Sequence, residues 1–233
     1  MKKDKISIII PILNEADTIK DLLYHLIDNA SLENISEIIV VDGGSTDGSQ
    51  SIIKSLDLSI TLLTSPKGRA KQMNVGAKAA KSKILYFLHA DSYPPHRYDE
   101  FIINEVKNNN LAGCFKMKFD HSHWWLRLAS WLTKFSWRAC RGGDQSQFIT
   151  KTLFETLGCF NEKFTIYEDN DLINKLYAIN EFVVIQQWLT TSARRYKDNG
   201  IWKLQYHFWT IYVKKWFGAS AEELHKYYLK HIT

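Results

Sequence analysis

The sequence predicts a single α/β domain: a mostly parallel central sheet flanked by helices, closed by aromatic helices at the C-terminus. Three observations carry that expectation. Short apolar runs at residues 5–13 (KISIIIPIL), 37–42 (EIIVVD) and 84–91 (ILYFLHAD) have the length of strands buried on both faces. Segments of helical spacing separate them, which is the alternation of a parallel sheet with right-handed crossovers. Each run ends in polar residues, where ligands bind in open sheets of this kind. The 233 residues, 45% hydrophobic and 24% charged, suffice for one such domain with a full core.

Residues 5–13 read as the first strand. Asn14-Glu15 ends it, and Ile19, Leu22, Leu23 and Leu26 then recur at helical spacing. Residues 37–42 form the second strand, and Gly43 to Gly48 a turn whose Ser45 to Asp47 can cap a helix. Residues 60–63 are a third strand, 65–68 a loop and 69–81 a helix of small residues. Residues 84–91 are the fourth strand, stopped by Ser92-Tyr93-Pro94-Pro95. In the second half, helices are expected at 98–107, 153–157 and 168–179, the last with acids crowded into its first turn, and residues 122–139 are aromatic and basic. Strands are expected at 112–120 (at the sheet edge), 147–150 and 182–187, and closing helices at 199–217 and 221–230. No composition shift marks a domain boundary.

A net charge of +5 is compatible with nucleic acid, an anionic membrane surface or a phosphorylated substrate. Three cysteines (Cys114, Cys140 and Cys159) are an odd number without metal-ligand spacing, which favours a reducing compartment. The basic N-terminus is too short for a signal peptide, and no run approaches the ~20 apolar residues of a membrane span. A cytoplasmic protein, free or held at the inner membrane face, is expected.

Four strand ends carry similar chemistry and converge on one edge of a parallel sheet. Pro11 to Glu15 follow the first strand, and Glu15 can hold ribose hydroxyls. Asp42 closes the second and can accept from the N–H of a base. Lys67 and Arg69 follow the third and can neutralise phosphate. His89, Ala90 and Asp91 close the fourth. Asp91 can hold Mg²⁺ or Mn²⁺, which takes one or two carboxylates together with substrate phosphate oxygens and water. Each segment alone is also an ordinary turn or helix start.

The motifs PILNEADTI, VVDGGSTDGS, GRAKQMNVGA, FLHADS and YEDNDL, in that order, resemble a family 2 glycosyltransferase of the GT-A fold. GRA-x-QMN-x-GA, HADS and GDQ resemble more narrowly a bacterial subfamily associated with arsenosugar biosynthesis. The resemblance covers residues 6–195. It implies a nucleotide-diphospho-sugar donor, a divalent metal (Mg²⁺ or Mn²⁺), inversion at the anomeric carbon and no nucleic-acid partner. It divides the single domain 1–233 into a nucleotide-binding half (1–92), an acceptor half (93–198) and C-terminal helices (199–233). Pro11, Asn14, Glu15, Asp42, Lys67, Arg69, Asn74, His89, Ala90 and Asp91 would serve the donor. Asp91 matches the metal-binding acid of the family's Asp-x-Asp motif, whose first acid is His89 here. Histidine can hydrogen-bond ribose or phosphate, or ligate a softer metal.

Tyr167 to Asp171 (YEDND) form a second acidic centre. Inverting transfer needs a general base for the acceptor hydroxyl. Asp169 matches the family's base position, with Glu168 the alternative, and both sit where a helix dipole favours carboxylates. Asp144 and Gln145, from GDQ, match an acceptor-side motif. Arg194 and Arg195 follow the last strand, and their planar forks suit a diphosphate leaving group. A nucleotidyltransferase would use similar groups, but such enzymes generally carry a Gly-rich basic loop after the first strand, where this chain has PILNEAD. A non-catalytic nucleotide-sugar binder is the remaining alternative.

Seven of the eight tryptophans fall in residues 122–139 and 199–217. On helices, Trp124, Trp125, Leu128, Trp131, Leu132 and Phe135 share one face. Trp202, Tyr206, Trp209, Tyr212, Val213 and Trp216 share another. Lys and Arg border both faces. They suit core packing, a membrane surface that delivers a lipid-linked acceptor, or a homo-oligomer contact.

Overall fold

The computed structural model describes residues 4–142 and 145–232. Asp144, expected on the acceptor side, lies outside them. Strand β1 (Ile6–Ile12) is buried along its whole length. β2 (Ile35–Asp42) and β4 (Ile84–Phe87) pair with it in parallel, and β3 (Ile60–Thr64) extends β2. The other strands are β5 (Ser92–Tyr93), β6 (Ala112–Phe119), β7 (Gln147–Thr150) and β8 (Val183–Thr191). One sheet runs in the order β3-β2-β1-β4-β7-β6-β8-β5, with β7 antiparallel to both its neighbours. The predicted α/β class and the mostly parallel sheet are therefore present.

The helices are α1 (Ile19–Asp28), α2 (Ser49–Ser55), α3 (Arg69–Ala79), α4 (Tyr98–Lys107), α5 (Trp124–Leu132), α6 (Lys151–Thr156), α7 (Glu168–Ala178), α8 (Arg194–Asn199), α9 (Ile201–Trp216) and α10 (Ala221–His231). The period-2 alternation of β1 sorts the core into two layers. Ile6, Ile8, Ile10 and Ile12 pack with Leu22, Leu23 and Leu26 of α1 and with Tyr98 and Ile102 of α4. On the other face Ile9 packs with Met73 and Ala77 of α3 and with Leu172 and Leu176 of α7. A third cluster joins Phe164 and Ile166 to Leu204, Ile211, Leu224 and Ile232.

Three expectations need correction. The fourth strand ends at Phe87, not at Asp91. Leu88 still donates to the Ile9 carbonyl, but the chain then turns so that Ser92 and Tyr93 can pair with Thr191 and Thr190 of β8. Asp91 therefore sits on a turn rather than at a strand's last residue. The 112–120 segment lies inside the sheet, because β8 runs on to Thr191 and pairs along its outer side. The aromatic segment is helical only over Trp124–Leu132, with a short 3₁₀ turn at Arg138–Cys140. After β8 the closing helix expected at 199–217 is present as α9, and a short helix, α8, precedes it. Arg194 and Arg195 open α8, and Gly200 at φ +80° breaks it from α9.

Two glycines permit close approach. A Cβ on Gly76 would stand 2.4 Å from Ile9 Cγ2, so the small residue lets α3 lie on β1. A Cβ on Gly113 would stand 2.3 Å from the Val183 carbonyl oxygen and 2.8 Å from Phe148. The first obstacle there is backbone of the neighbouring strand, which cannot rotate away. Gly113→Ala is therefore expected to destabilise the fold by about 1–3 kcal/mol, the usual range for overpacking. Denaturant unfolding measures it, and an unchanged midpoint would show that β6 and β8 separate freely.

Candidate functional site

The first two loops are sewn into one mouth at the carboxyl edge of the sheet. Asn14, at φ 57°, accepts at Oδ1 from the Thr46 amide (2.8 Å), and its own amide donates to Ser45 Oγ (2.9 Å). The Glu15 amide donates to Ser49 Oγ, and the Ala16 amide to Asp47 Oδ2 (2.8 Å). Gln72 of α3 reaches under both strands and donates to the carbonyls of Ile12 (2.7 Å) and Val41 (2.8 Å). Ser45, Asp47, Ser49 and Gln72 were not singled out individually from the sequence. Their polar types match ordinary caps, and only the pairing of the two loops reveals their use.

Asp42 is fully buried at the base of this mouth. Its carboxylate accepts from the Gly44 and Ser45 amides, from the Ser45 hydroxyl and from Gln50 Nε2 (2.6 Å). Burial pushes its pKa up, but these hydrogen bonds outweigh it and hold the carboxyl below the usual range. Asp42 thus builds the turn, and the donors of the turn already use both of its oxygens. Pro11 lies buried within β1, and Lys67 is exposed beside the mouth. Arg194 joins the mouth from the far end of the chain, with its Nη2 3.4 Å from Glu15 Oε2.

Two further predicted donor-site residues are tied to α7 and the segment before it, and a third is buried. Asn74 clamps α3 to the segment before α7. It donates to the Phe160 carbonyl (3.0 Å) and Glu162 Oε1 (2.9 Å) and accepts from the Phe160 amide (3.1 Å), so its amide serves the fold. Arg69 lies against the acidic centre, its Nε 2.8 Å from Glu168 Oε1, at the edge of the same cleft. Ala90 is buried and offers no side-chain polar atom.

The acidic centre is built by the start of α7. Tyr167 adopts φ +77°, and its ring packs against Phe164 and Tyr212. The reversal it makes sets Glu168, Asp169 and Asp171 in the first turn of α7, where the helix dipole favours negative charge. The signal was faint in sequence, since a tyrosine is an unusual choice for a left-handed backbone. Glu168 is fully buried. The Arg69 approach is a charge contact rather than an aligned hydrogen bond, and both carboxylate oxygens lack hydrogen-bond partners. Burial pushes the Glu168 pKa up to about 7; Arg69 opposes the rise and Asp169 adds to it. Asp169 is only 8% exposed but reaches the cleft, and its Oδ2 lies 3.9 Å from His89 Nε2. That spacing is an electrostatic contact, too long for a hydrogen bond. The two predicted centres therefore meet: His89 shares its turn with Asp91 and faces Asp169.

A cleft of about 890 Å³ opens from Asp169 and Arg69 between α5, α7 and α9. Trp125, Leu132, Phe208, Trp209 and Tyr212 wall it, and Arg138, Arg195 and Lys215 add positive charge. Arg195 is held in place by the Tyr228 hydroxyl and by the Phe208 and Tyr228 rings. Gln145 lines the cleft but is itself buried, donating to the Cys140 carbonyl (2.8 Å) and accepting from the Cys114 thiol (3.4 Å). Among the described residues no three His, Cys, Asp or Glu side chains gather as a metal cluster. At the sheet edge, His89 and Asp91 stand in the turn after β4. One carboxylate is the minimum for Mg²⁺ or Mn²⁺, so this pair fits a cation only in company with diphosphate oxygens.

The comparisons agree with this architecture. Fold and sequence place the chain among the glycosyltransferases. It belongs to glycosyl transferase family 2, whose profile matches residues 7–168. It is 30% identical over 111 residues to glycosyltransferase AglE of Haloferax volcanii, covering 46% of this chain and 36% of that protein. It is 26% identical over 176 residues to an undecaprenyl-phosphate 4-deoxy-4-formamido-L-arabinose transferase of Aeromonas hydrophila, covering 69% of this chain and 53% of that protein. The S. aureus TarS 1–349 structure in complex with UDP superposes with a TM-score of 0.64 at 19% identity, over 81% of this chain and 60% of that one. The chain thus spans about half or less of the length of these two relatives.

The folded pKa of Glu168, about 7, lies above its unfolded value near 4.5. Its contribution to stability is thus fully present below the unfolded value and lost as pH rises through about 7. Glu168→Gln fixes the neutral form, so its melting temperature relative to wild type is expected to climb between pH 5 and pH 8. Thermal melts across that range test this, and a difference independent of pH would show that Glu168 stays ionised.

Proposed function

We propose that the protein moves a sugar from a nucleotide-diphospho-sugar to an acceptor hydroxyl with inversion, and that Asp169 is the general base. The position of Asp169 carries this reading. It reaches the cleft floor 3.9 Å from His89, whereas Glu168 beside it is sealed in. Asp169 takes the hydroxyl proton as the acceptor oxygen bonds to the anomeric carbon and the bond to the diphosphate breaks. One base in one displacement is the chemistry of inversion.

The donor lies across the loop mouth, with Glu15 toward the ribose and Lys67 and Arg194 toward the diphosphate. Asp42 supports the base-binding turn from below. The S. aureus TarS fragment in complex with UDP supports a nucleoside diphosphate as the carrier of the sugar. Asp91, with His89 beside it, would hold Mg²⁺ or Mn²⁺, and the cation when bound neutralises the leaving diphosphate. The cleft admits an acceptor with an apolar part, and the undecaprenyl-phosphate transferase relative supports a lipid-linked one. The narrower resemblance to the arsenosugar subfamily rests on the GRA-x-QMN, HADS and GDQ segments.

Asp169→Asn is expected to lower transfer or donor hydrolysis by about 10²–10⁴-fold, the usual worth of a general base. Calorimetry should show nucleotide binding retained. Wild-type turnover in this variant would remove Asp169 from that role. Asp91→Ala is expected to abolish the metal-dependent part of nucleoside-diphosphate binding; undiminished binding would place the cation elsewhere.

A further inference from the structure

The faces of α5 and α9 are amphipathic in an unusual way. Each helix buries one side and leaves an aromatic stripe on the opposite one. On α9 the buried side is Leu204 and Ile211, while Trp202, Tyr206, Trp209, Val213 and Trp216 are between 48% and 84% exposed. These five recur at helical spacing along one line. On α5, Leu126 and Ser130 are buried, and Trp124, Leu128 and Trp131 remain outside. The two stripes meet where the Trp124 and Trp202 rings lie 5.7 Å apart. Phe217, at the end of α9, is 81% exposed.

The charge around these stripes has one sign. Neither residues 121–143 nor residues 199–220 contain an Asp or Glu, and together they carry seven Lys and Arg. All but Arg141 are at least partly exposed. The neighbouring α10 brings Glu223 near Lys214. The other cations are Arg127, Lys134, Arg138, Lys203 and Lys215. Lys134 stacks over the Trp131 ring at 4.1 Å, so the charge and the aromatic surface are interleaved.

We propose that the joined α5–α9 face docks on the headgroup layer of an anionic lipid bilayer. Indole and phenol rings beside Lys and Arg match that layer, where apolar bodies enter and polar edges stay wet. The cations add attraction to anionic lipid. A second copy fits less well, because a two-fold contact would set one acid-free cationic face against another. No helix among the described residues is long and apolar enough to cross a membrane, so the contact lies in the surface plane. Docking this way brings the aromatic cleft, which α5 and α9 also line, to the membrane surface.

Vesicle co-sedimentation of the whole chain, without nucleotide or acceptor, tests the docking apart from the transfer reaction. The probes are phosphatidylcholine vesicles and phosphatidylcholine–phosphatidylglycerol vesicles. Partition onto the anionic vesicles is expected, with a blue shift of tryptophan emission and weakening as salt rises. Trp216→Ser with Phe217→Ser, and separately Lys203→Glu with Lys214→Glu, should each lower partition by about tenfold or more. All four residues are exposed, so both variants should keep the wild-type melting temperature. Absence of binding to anionic vesicles, or equal binding to neutral ones, would overturn the proposal. A dimer broken by the same substitutions, without vesicle binding, would overturn it in favour of self-association.

Discussion

β1 is hydrogen-bonded on both edges and covered on both faces, and the other elements take their places from it. Its alternate isoleucines feed two separate core layers, so a slip of one residue would exchange those layers. Because β2 and β4 both run parallel to it, the loops after all three open on the same edge. Gln72 then ties the ends of β1 and β2 through their carbonyls, and side chains from one loop satisfy amides of the next. The mouth is consequently rigid at the level of backbone. Such a mouth can hold a ligand in one geometry.

The acidic centre works under a different constraint. Three carboxylates in one helical turn repel each other, and the dipole of α7 offsets only part of that. Arg69 stands against Glu168, and His89 against Asp169. Replacement of an acid by histidine at position 89 therefore has a local electrical sense. A carboxylate there would stand near Asp169 and add to the repulsion, whereas an imidazole does not. Asp91 is then the carboxylate of that turn.

Periodicity identified the helices that carry the aromatic stripes but not which side they bury. Leu204 and Ile211 look no more apolar than Trp209 or Trp216, yet only the first pair meets Phe164 and Ile166. Core packing, one of the three readings open to these stripes, is thus excluded for most of their length. The partner of Asn74 was hidden from the sequence for a related reason. The Asn74 motif lies beside nucleotide-site residues in sequence, but its position on α3 aims the amide at Phe160, 86 residues away.

What the sequence by itself determined was the class of fold, the buried strands at its centre and the existence of two acidic centres. Short apolar runs, turn residues and helix-start acids are local signals, and local physics suffices to read them. Only the tertiary structure decided that β6 is internal, that Arg69 serves Glu168, that Asp42 is closed off by its own turn, and that His89 faces Asp169. Each of these depends on a contact between segments far apart in the chain, or on how many donors converge on one carboxylate, and neither is encoded in spacing along a single element. The distance from His89 to Asp169 brings two centres, eighty residues apart in the chain, into one site.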